Sequence, residues 1–411
     1  MRLTVLLFLF MWAQVVRAQP APKVILVIAD GIPADVIERL KPPAMQQIIS
    51  RGAYKRSYVG GIPGTYTETP TISAPGYNQM LTGTWGYKNN VWNNENQDPN
   101  YHYPSIFRLF KTARPKGTTA IFSTWIDNRI VLLGEGLPQT GYLKLDYTFD
   151  GYEKDTMAFP HDNERKYDQK IDEYVVKCAD SVIRHFAPDL SWIYLEYTDD
   201  VGHAKGTGAA FDSAVLQMDN YFRTLSNAMQ YREAHFNENW LLVFTTDHGR
   251  DSIRGQGHGG QSERERTTFI MINKPVTNAY FATANPAVVD ILPSVANFLN
   301  IKLQPPAREE IDGVPFIGKV SISNARIEVK GDSLSVFWDA FDTNEEVSIA
   351  IAYTNNVKDG GKDKYQELGK ANSFDKQFRC KVKELAGRPF YKVLVRGRHN
   401  DINVWHTEPK Q

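Results

Sequence analysis

Several apolar runs in this chain each stop abruptly on polar, turn-prone residues: VILVIADG (24–31), TTAIFST (118–124), SWIYLEYTDD (191–200), WLLVFTTDHG (240–249) and TTFIMI (267–272). Short apolar runs of this kind are the pattern of strands buried on both faces. Helical patterns lie between them, over 167–186 and 210–229. Strands alternating with helices predict an α/β fold with a central, mostly parallel sheet covered on both sides. In such sheets the ligand crevice lies beyond the carboxyl ends of the strands. Those are the ends where this sequence places its acids and histidines. A buried strand that finishes Thr245-Thr246-Asp247-His248-Gly249 puts two groups that are costly to bury at its end. Either they turn the chain or they hold something.

The pattern changes near residue 320. VSISNARIEVKGDSLSVFWDAF, EVSIAIAYTN and FYKVLVRGRHNDINVWH alternate with period two and have no helices between them, and Gly331-Asp332 marks a hairpin turn. These strands predict a small antiparallel β-sandwich, and the FW and KVLVRG stretches look like a fibronectin type III module. A chain of 411 residues exceeds one ordinary core, so a larger unit over 19–318 and a smaller one over 319–411 are expected. Residues 1–18, MRLTVLLFLFMWAQVVRA, have a basic start, an apolar centre and small residues near Ala18. They read as a secretory signal peptide, cleaved after Ala18, so an exported protein in the periplasm or medium is expected. No later stretch is apolar enough to span a membrane. Basic and acidic residues balance at 47 each, so no nucleic-acid groove is expected. Cys178 lies in a helical apolar pattern and reads as a small buried hydrophobe, and no disulfide to distant Cys380 is expected.

Asp30 ends the first run, Asp199 precedes His203 by four residues just past the third, and Asp247 and His248 end the fourth. His258 sits in GQGHGG, where glycines let backbone approach a ligand closely. Three carboxylates and three imidazoles are hard or borderline donors that suit zinc. Split between two ions about 4 Å apart, they would clamp both oxygens of an in-line phosphoryl transfer. Each residue also has a plainer reading: Asp30 as a helix cap, Asp247-His248 as a turn, His258 as part of a flexible loop. The six fall in order along one edge of one sheet, and independent turns have no reason to do that. Ser73, in TPTISAPGYNQMLTG (69–83), opens a helical pattern with Pro75 in its first turn. As a nucleophile it would have the Ala74 amide beside it to face a phosphate oxygen. As a bland alternative it is only a cap.

The order VIADG, ISAPGYNQMLTG, TDDVGH, TTDHG and GHGG resembles the alkaline phosphatase superfamily, and most closely its type I phosphodiesterase / nucleotide pyrophosphatase branch. Ser73, Pro75 and Thr82-Gly83 match the branch's nucleophile segment, with serine in place of its usual threonine and Gly76-Tyr77 where Asn-His is common. The resemblance implies an alkaline phosphatase-like α/β sandwich and two zinc ions, one held by Asp199, His203 and His258 and the other by Asp30, Asp247 and His248. It implies that Ser73 bridges toward a small phosphate-ester substrate and that Asn94 contacts the transferred phosphoryl group. Sulfatases of the superfamily carry an arginine where Tyr77 stands. A related group of phosphomonoesterases adds a lysine and an arginine. Arg129 is the candidate for that arginine, but Asp127 stands where the lysine would be looked for. This favours a diester over a dianionic monoester, which needs more positive charge. The alternatives are a phosphate-scavenging phosphomonoesterase and an inactive binding protein led by the β-sandwich. Tyr66, Tyr77, Trp85, Tyr87 and Trp92 crowd the nucleophile segment, and most are expected to pack a loop onto the fold.

Overall fold

The computed structural model describes residues 19–407 except 96, 97, 164, 342, 343, 384 and 386. The leader expected over 1–18 lies outside the described residues. The central sheet comprises β1 (Ala21–Ala29), β2 (Ala53–Tyr58), β3 (Thr119–Ser123), β4 (Tyr147–Phe149), β5 (Leu190–Leu195), β6 (Glu238–Thr245) and β7 (Thr267–Ile272). Their order is β2-β7-β6-β1-β5-β3-β4. From β6 to β4 the neighbours pair in parallel. TTFIMI (β7) runs antiparallel to β6, and β2 antiparallel to β7. The chain leaves β6 and returns through the loop that carries His258 and one short helix, Glu263–Arg266. Without a crossover helix on a sheet face, a parallel return is not available. The sequence pattern gave no hint of β2, because AYKRSY is an edge strand without an apolar run.

Both faces of β1 are sealed. Ile25, Val27 and Ala29 pack in one apolar cluster with residues of the helices Lys166–Phe186 and Ala209–His235. Val24, Leu26 and Ile28 belong to a second cluster, with residues of Ser73–Thr82 and Ile291–Phe298. The sheet is therefore the middle layer of three, as the double-sided burial of its strands predicts.

The second cluster continues into the C-terminal strands β8 (Ile322–Lys330), β9 (Ser333–Ala340), β10 (Glu346–Ala352), β11 (Gln366–Asn372), β12 (Gln377–Lys381), β13 (Phe390–Arg396) and β14 (Asp401–Thr407). They form two antiparallel sheets, β11-β10-β13-β14 and β12-β9-β8. Leu334, Val336 and Trp338 from one sheet share their core with Ile349, Ile351, Val393 and Val395 from the other. Gly331, at φ 57°, makes the turn between β8 and β9. Both cysteines are free and half-buried. Among the described residues no helix is long and apolar enough to cross a membrane.

Candidate active site

The three central strands β6, β1 and β5 lie side by side, with Ile28 level with Thr245 and Ala29 level with Leu195. Their carboxyl ends therefore deliver Asp30, the Asp247-His248 pair and the helix Tyr197–Lys205 to one place. On that helix Asp199 and His203, four residues apart, share a face, and their Oδ2 and Nε2 atoms are 3.1 Å apart. Ser73 starts the helix Ser73–Thr82 with its Oγ 3.4 Å from His248 Nε2. Gly76 lets that helix lie close, since a Cβ there would sit 2.9 Å from both Cβ and the carbonyl oxygen of Asp247.

Anchoring bonds aim the donor atoms inward. His248 Nδ1 lies 2.9 Å from the Gly249 carbonyl, and His258 Nδ1 lies 2.9 Å from the Thr71 carbonyl. A carbonyl oxygen only accepts, so both rings carry their proton on Nδ1 and present a lone pair at Nε2. Asp247 Oδ1 accepts from the Gly31 amide at 3.1 Å. Asp30 Oδ2 accepts from the hydroxyls of Tyr77 and Tyr194, the latter at 2.8 Å. The other oxygens, Asp30 Oδ1 and Asp247 Oδ2, are buried without a hydrogen-bond partner and lie 3.3 and 3.2 Å from His248 Nε2. Acceptor atoms face acceptor atoms, which is unfavourable unless a cation lies among them.

Donor atoms of Asp199, His203 and His258 fall within 4.8 Å of one another, the first set the sequence anticipates. A second such set is Asp30, Asp199 and His248, in which Asp199 stands beside His248 where Asp247 was expected. The His248 and His258 rings stack on each other, and Asp199 Oδ1 lies about equally far from both Nε2 atoms, 4.0 Å from His248 and 3.9 Å from His258. With nitrogen and oxygen donors only, their anchored atoms held by backbone or hydroxyl groups, the cluster fits zinc or a similar divalent ion.

The ionisation of the cluster reflects its crowding. Burial, followed by the neighbouring Asp199 charge, pushes the Asp30 carboxyl up to about 7. Burial and Asp30 raise Asp247 well above the carboxylate range. At Asp199 burial also pushes upward, but His203, Arg250 and His248 outweigh it and hold the group ionised. Burial keeps His248 and His258 neutral, the form that ligates a metal.

Three contributors escape a reading of the sequence. Arg250, fully buried, donates to the carbonyls of Gly31 at 3.1 Å, Asp199 at 2.7 Å and Gln256 at 3.2 Å, and to Asp199 Oδ1. It follows TTDHG directly, which is its only trace in the sequence. Tyr77 belongs to the aromatic group expected to pack a loop; its one available signal is the four-residue step from Ser73 that puts both on one helix face. Tyr194 sits in the third apolar run and passes for an ordinary strand residue.

Two expected phosphate contacts are arranged differently from the expectation. The Ala74 amide donates to Asn94 Oδ1 at 2.9 Å, so it orients Asn94 instead of facing the crevice itself. Arg129 is not brought to the cluster by any of its bonds. Its guanidinium forms a fork on Asp150 at 2.7 and 2.9 Å and reaches Glu135 at 2.7 Å. That leaves it committed to bracing its own loop.

An α/β sheet that gathers this donor cluster at its strand ends, with the Ser73 hydroxyl 3.4 Å from His248 Nε2, suits a metal-dependent phosphoester hydrolase. Residues 24–294 match the type I phosphodiesterase / nucleotide pyrophosphatase family, and the chain belongs to it. Among curated proteins none matches the chain. Solved structures that resemble it include a 2-O GAG sulfatase, at 12% identity over 78% of this chain and 81% of that one, with a TM-score of 0.49. Murine ectonucleotide pyrophosphatase / phosphodiesterase 5 resembles it at 14% identity over 69% and 96%, with a TM-score of 0.48. Phosphonoacetate hydrolase from Sinorhizobium meliloti 1021 does so at 21% identity over 56% and 57%, with a TM-score of 0.39.

Proposed function

We propose that the chain is an exported, zinc-dependent phosphodiesterase that cleaves phosphodiester or nucleotide pyrophosphate bonds through a phosphoseryl intermediate on Ser73. The observation that most supports this is the convergence of three imidazoles and three carboxylates at the strand ends, with the Ser73 hydroxyl against His248, in a chain of this family. Export is inferred from the leader-like residues 1–18. Two zinc ions are the proposed cofactors, one with Asp199, His203 and His258 and one with Asp30, Asp247 and His248. When bound, they supply positive charge against the phosphoryl oxygens and make a neighbouring hydroxyl easier to ionise.

Ser73 Oγ, fixed at the start of its helix, gives its proton to solvent, attacks phosphorus and forms the Ser73 O–P bond. The bond to the leaving alcohol breaks, and that oxygen keeps the electron pair and takes a proton from water. Asn94, anchored through Oδ1 on the Ala74 amide, is the residue proposed to contact a non-bridging oxygen. Tyr77 and Tyr194 hold the Asp30 carboxylate in place throughout. Water then attacks the phosphoserine, releasing Ser73 and a phosphomonoester. The leaving oxygen is assigned to the Asp199, His203 and His258 side of the cluster. A diester is favoured over a monoester because Arg129, the candidate for meeting the second negative charge of a monoester, is spent on Asp150 and Glu135.

Ser73→Ala should abolish turnover while the protein retains its zinc by elemental analysis; residual turnover near wild type would reject Ser73 as the nucleophile. On the wild-type enzyme, kcat/KM for a p-nitrophenyl ester of a nucleoside monophosphate should exceed that for p-nitrophenyl phosphate by about a hundredfold. The reverse preference would replace the diesterase reading with the monoesterase one.

A further inference from the structure

The last strand of the C-terminal module, β14, runs beside the aromatic loop that precedes Ser73. Between them lies a cleft of about 1260 Å3. One wall is Gly259–Gln261, immediately after His258. That wall is stitched to the segment leading into Ser73: Gly259 N donates to Thr71 Oγ1 at 3.0 Å and Gln261 Nε2 to the Thr69 carbonyl at 2.8 Å. The cleft thus begins one residue from His258, on the side of the cluster assigned to the leaving oxygen, and it lies against Pro70, three residues before Ser73.

The facing walls are aromatic. Tyr66, Tyr87 and Trp92 come from the catalytic region and Trp405 from the module. They are held across the junction. Trp405 N–H donates to Tyr66 Oη at 2.9 Å, and the Tyr87 ring meets Trp405 edge-on with centroids 4.5 Å apart. The ammonium groups of Lys88 and Lys392 lie 5.4 and 4.7 Å from the Trp405 ring. A fixed aromatic wall suits a flat face, because stacking then costs little ordering.

Size and charge narrow the occupant. The cleft is larger than a pocket for one small molecule, roughly 300–1000 Å3, so a methyl or ethyl alcohol would leave it mostly empty. Among the described lining residues Glu68 is the one carboxylate and His406 the one imidazole, and none is a lysine or arginine. A polyphosphate chain would meet Glu68 and find no lysine or arginine among the described lining residues.

We propose that this cleft binds the leaving alcohol of the diester, a bulky uncharged group with a flat ring face such as a nucleoside or a sugar, and that the C-terminal module forms part of its wall. The proposal rests on the phosphodiesterase reading above. It implies that the enzyme chooses which of two ester bonds to break by which alcohol carries a ring.

Ethyl thymidin-5′-yl phosphate offers that choice in one molecule, between two primary alcohols of similar intrinsic leaving ability. Zinc-loaded wild-type enzyme should release thymidine and ethyl phosphate over ethanol and thymidine monophosphate by about tenfold or more, the scale of one stacked ring. Trp92→Ala, which removes a ring face, and Ile327→Trp, which fills the cleft from the module side, should each bring the product ratio toward one. An ethyl glucos-6-yl phosphate arm separates a nucleobase-selective cleft from a sugar-selective one. A wild-type ratio near one on both substrates, or ratios that neither variant moves, would overturn the proposal. Failure to cleave these diesters and p-nitrophenyl thymidine phosphate alike would count against the phosphodiesterase reading instead. In that case, quenching of tryptophan fluorescence by thymidine or methyl glucoside decides for the cleft if Trp92→Ala abolishes it and against the cleft if wild type shows none.

Discussion

Replacing Arg250 with methionine tests the electrostatics of the cluster most directly. The guanidinium is wholly buried, and its bonds go to Asp199 Oδ1 and three backbone carbonyls. Methionine fills much of the volume but leaves Asp199 ionised, buried and without that partner. Removing one member of a buried ion pair costs about 3–5 kcal/mol. Unfolding entropy near 2.1 cal/mol/K per residue, over the roughly 270 residues of the matched region, gives about 0.6 kcal/mol per degree. The expected loss of Tm is therefore about 5–9 °C in chelator-treated protein. Zinc restores a positive charge beside the same carboxylate, so the loss should be smaller in zinc-loaded protein. Differential scanning calorimetry on both forms measures the two losses. A chelated loss under about 2 °C would refute the claim that Arg250 holds Asp199 in its ionised state. Equal losses in the two forms would refute the claim that guanidinium and metal share that carboxylate.

Tyr77→Phe removes a donor from Asp30 Oδ2 while Tyr194 remains, so zinc affinity should fall about tenfold with little change in fold. Competition with a chromogenic chelator reads this, and unchanged affinity would reduce Tyr77 to packing. Asp172 supplies a pH test away from the cluster. Burial pushes its carboxyl up to about 7 although the Thr124 hydroxyl and the amides of Glu196 and Tyr197 donate to it. The native state then holds a proton that the unfolded chain loses near pH 4, so this group's contribution is full below about pH 4 and is lost as pH rises to about 7. The loss is on the order of 4 kcal/mol. Asp172→Asn should flatten that decline in denaturant titrations between pH 4.5 and 7.5, and parallel curves for the two proteins would contradict it.

What could be read in the sequence was what a strand carries on its own end. Asp30, Asp199 and Asp247-His248 follow apolar runs, and a run buried on both faces must emerge at the sheet edge where ligands bind. What could not be read was anything depending on which strands become neighbours. Arg250 looks like one more polar loop residue until β6 and β5 are seen to lie on either side of β1, which puts it on Asp199. The Ala74 amide could not be assigned without knowing that Asn94 folds back over it. Arg129 is engaged elsewhere for the same reason: its partners, Asp150 and Glu135, lie 21 and 6 residues from it in the chain. β7 was legible as a strand but not in direction, because direction depends on the path of the loop that carries His258.

The attachment of the C-terminal module follows the same logic with larger stakes. Lys88, on the short helix Gly86–Asn89, has a fully buried side chain that pairs with Asp312 at 2.6 Å. Lys392 on β13 is buried too, between Glu310 at 2.9 Å and Asp363 at 2.7 Å. Trp405 lies against both ammonium groups. Charges withdrawn from water tolerate only the geometry in which they are paired, and Lys392–Glu310 joins the module to the larger unit, so a small displacement of the module would pull that buried pair apart. Apolar contact alone would let the module slide. A docking built on buried ions fixes its register, and with it the position of Trp405 relative to His258.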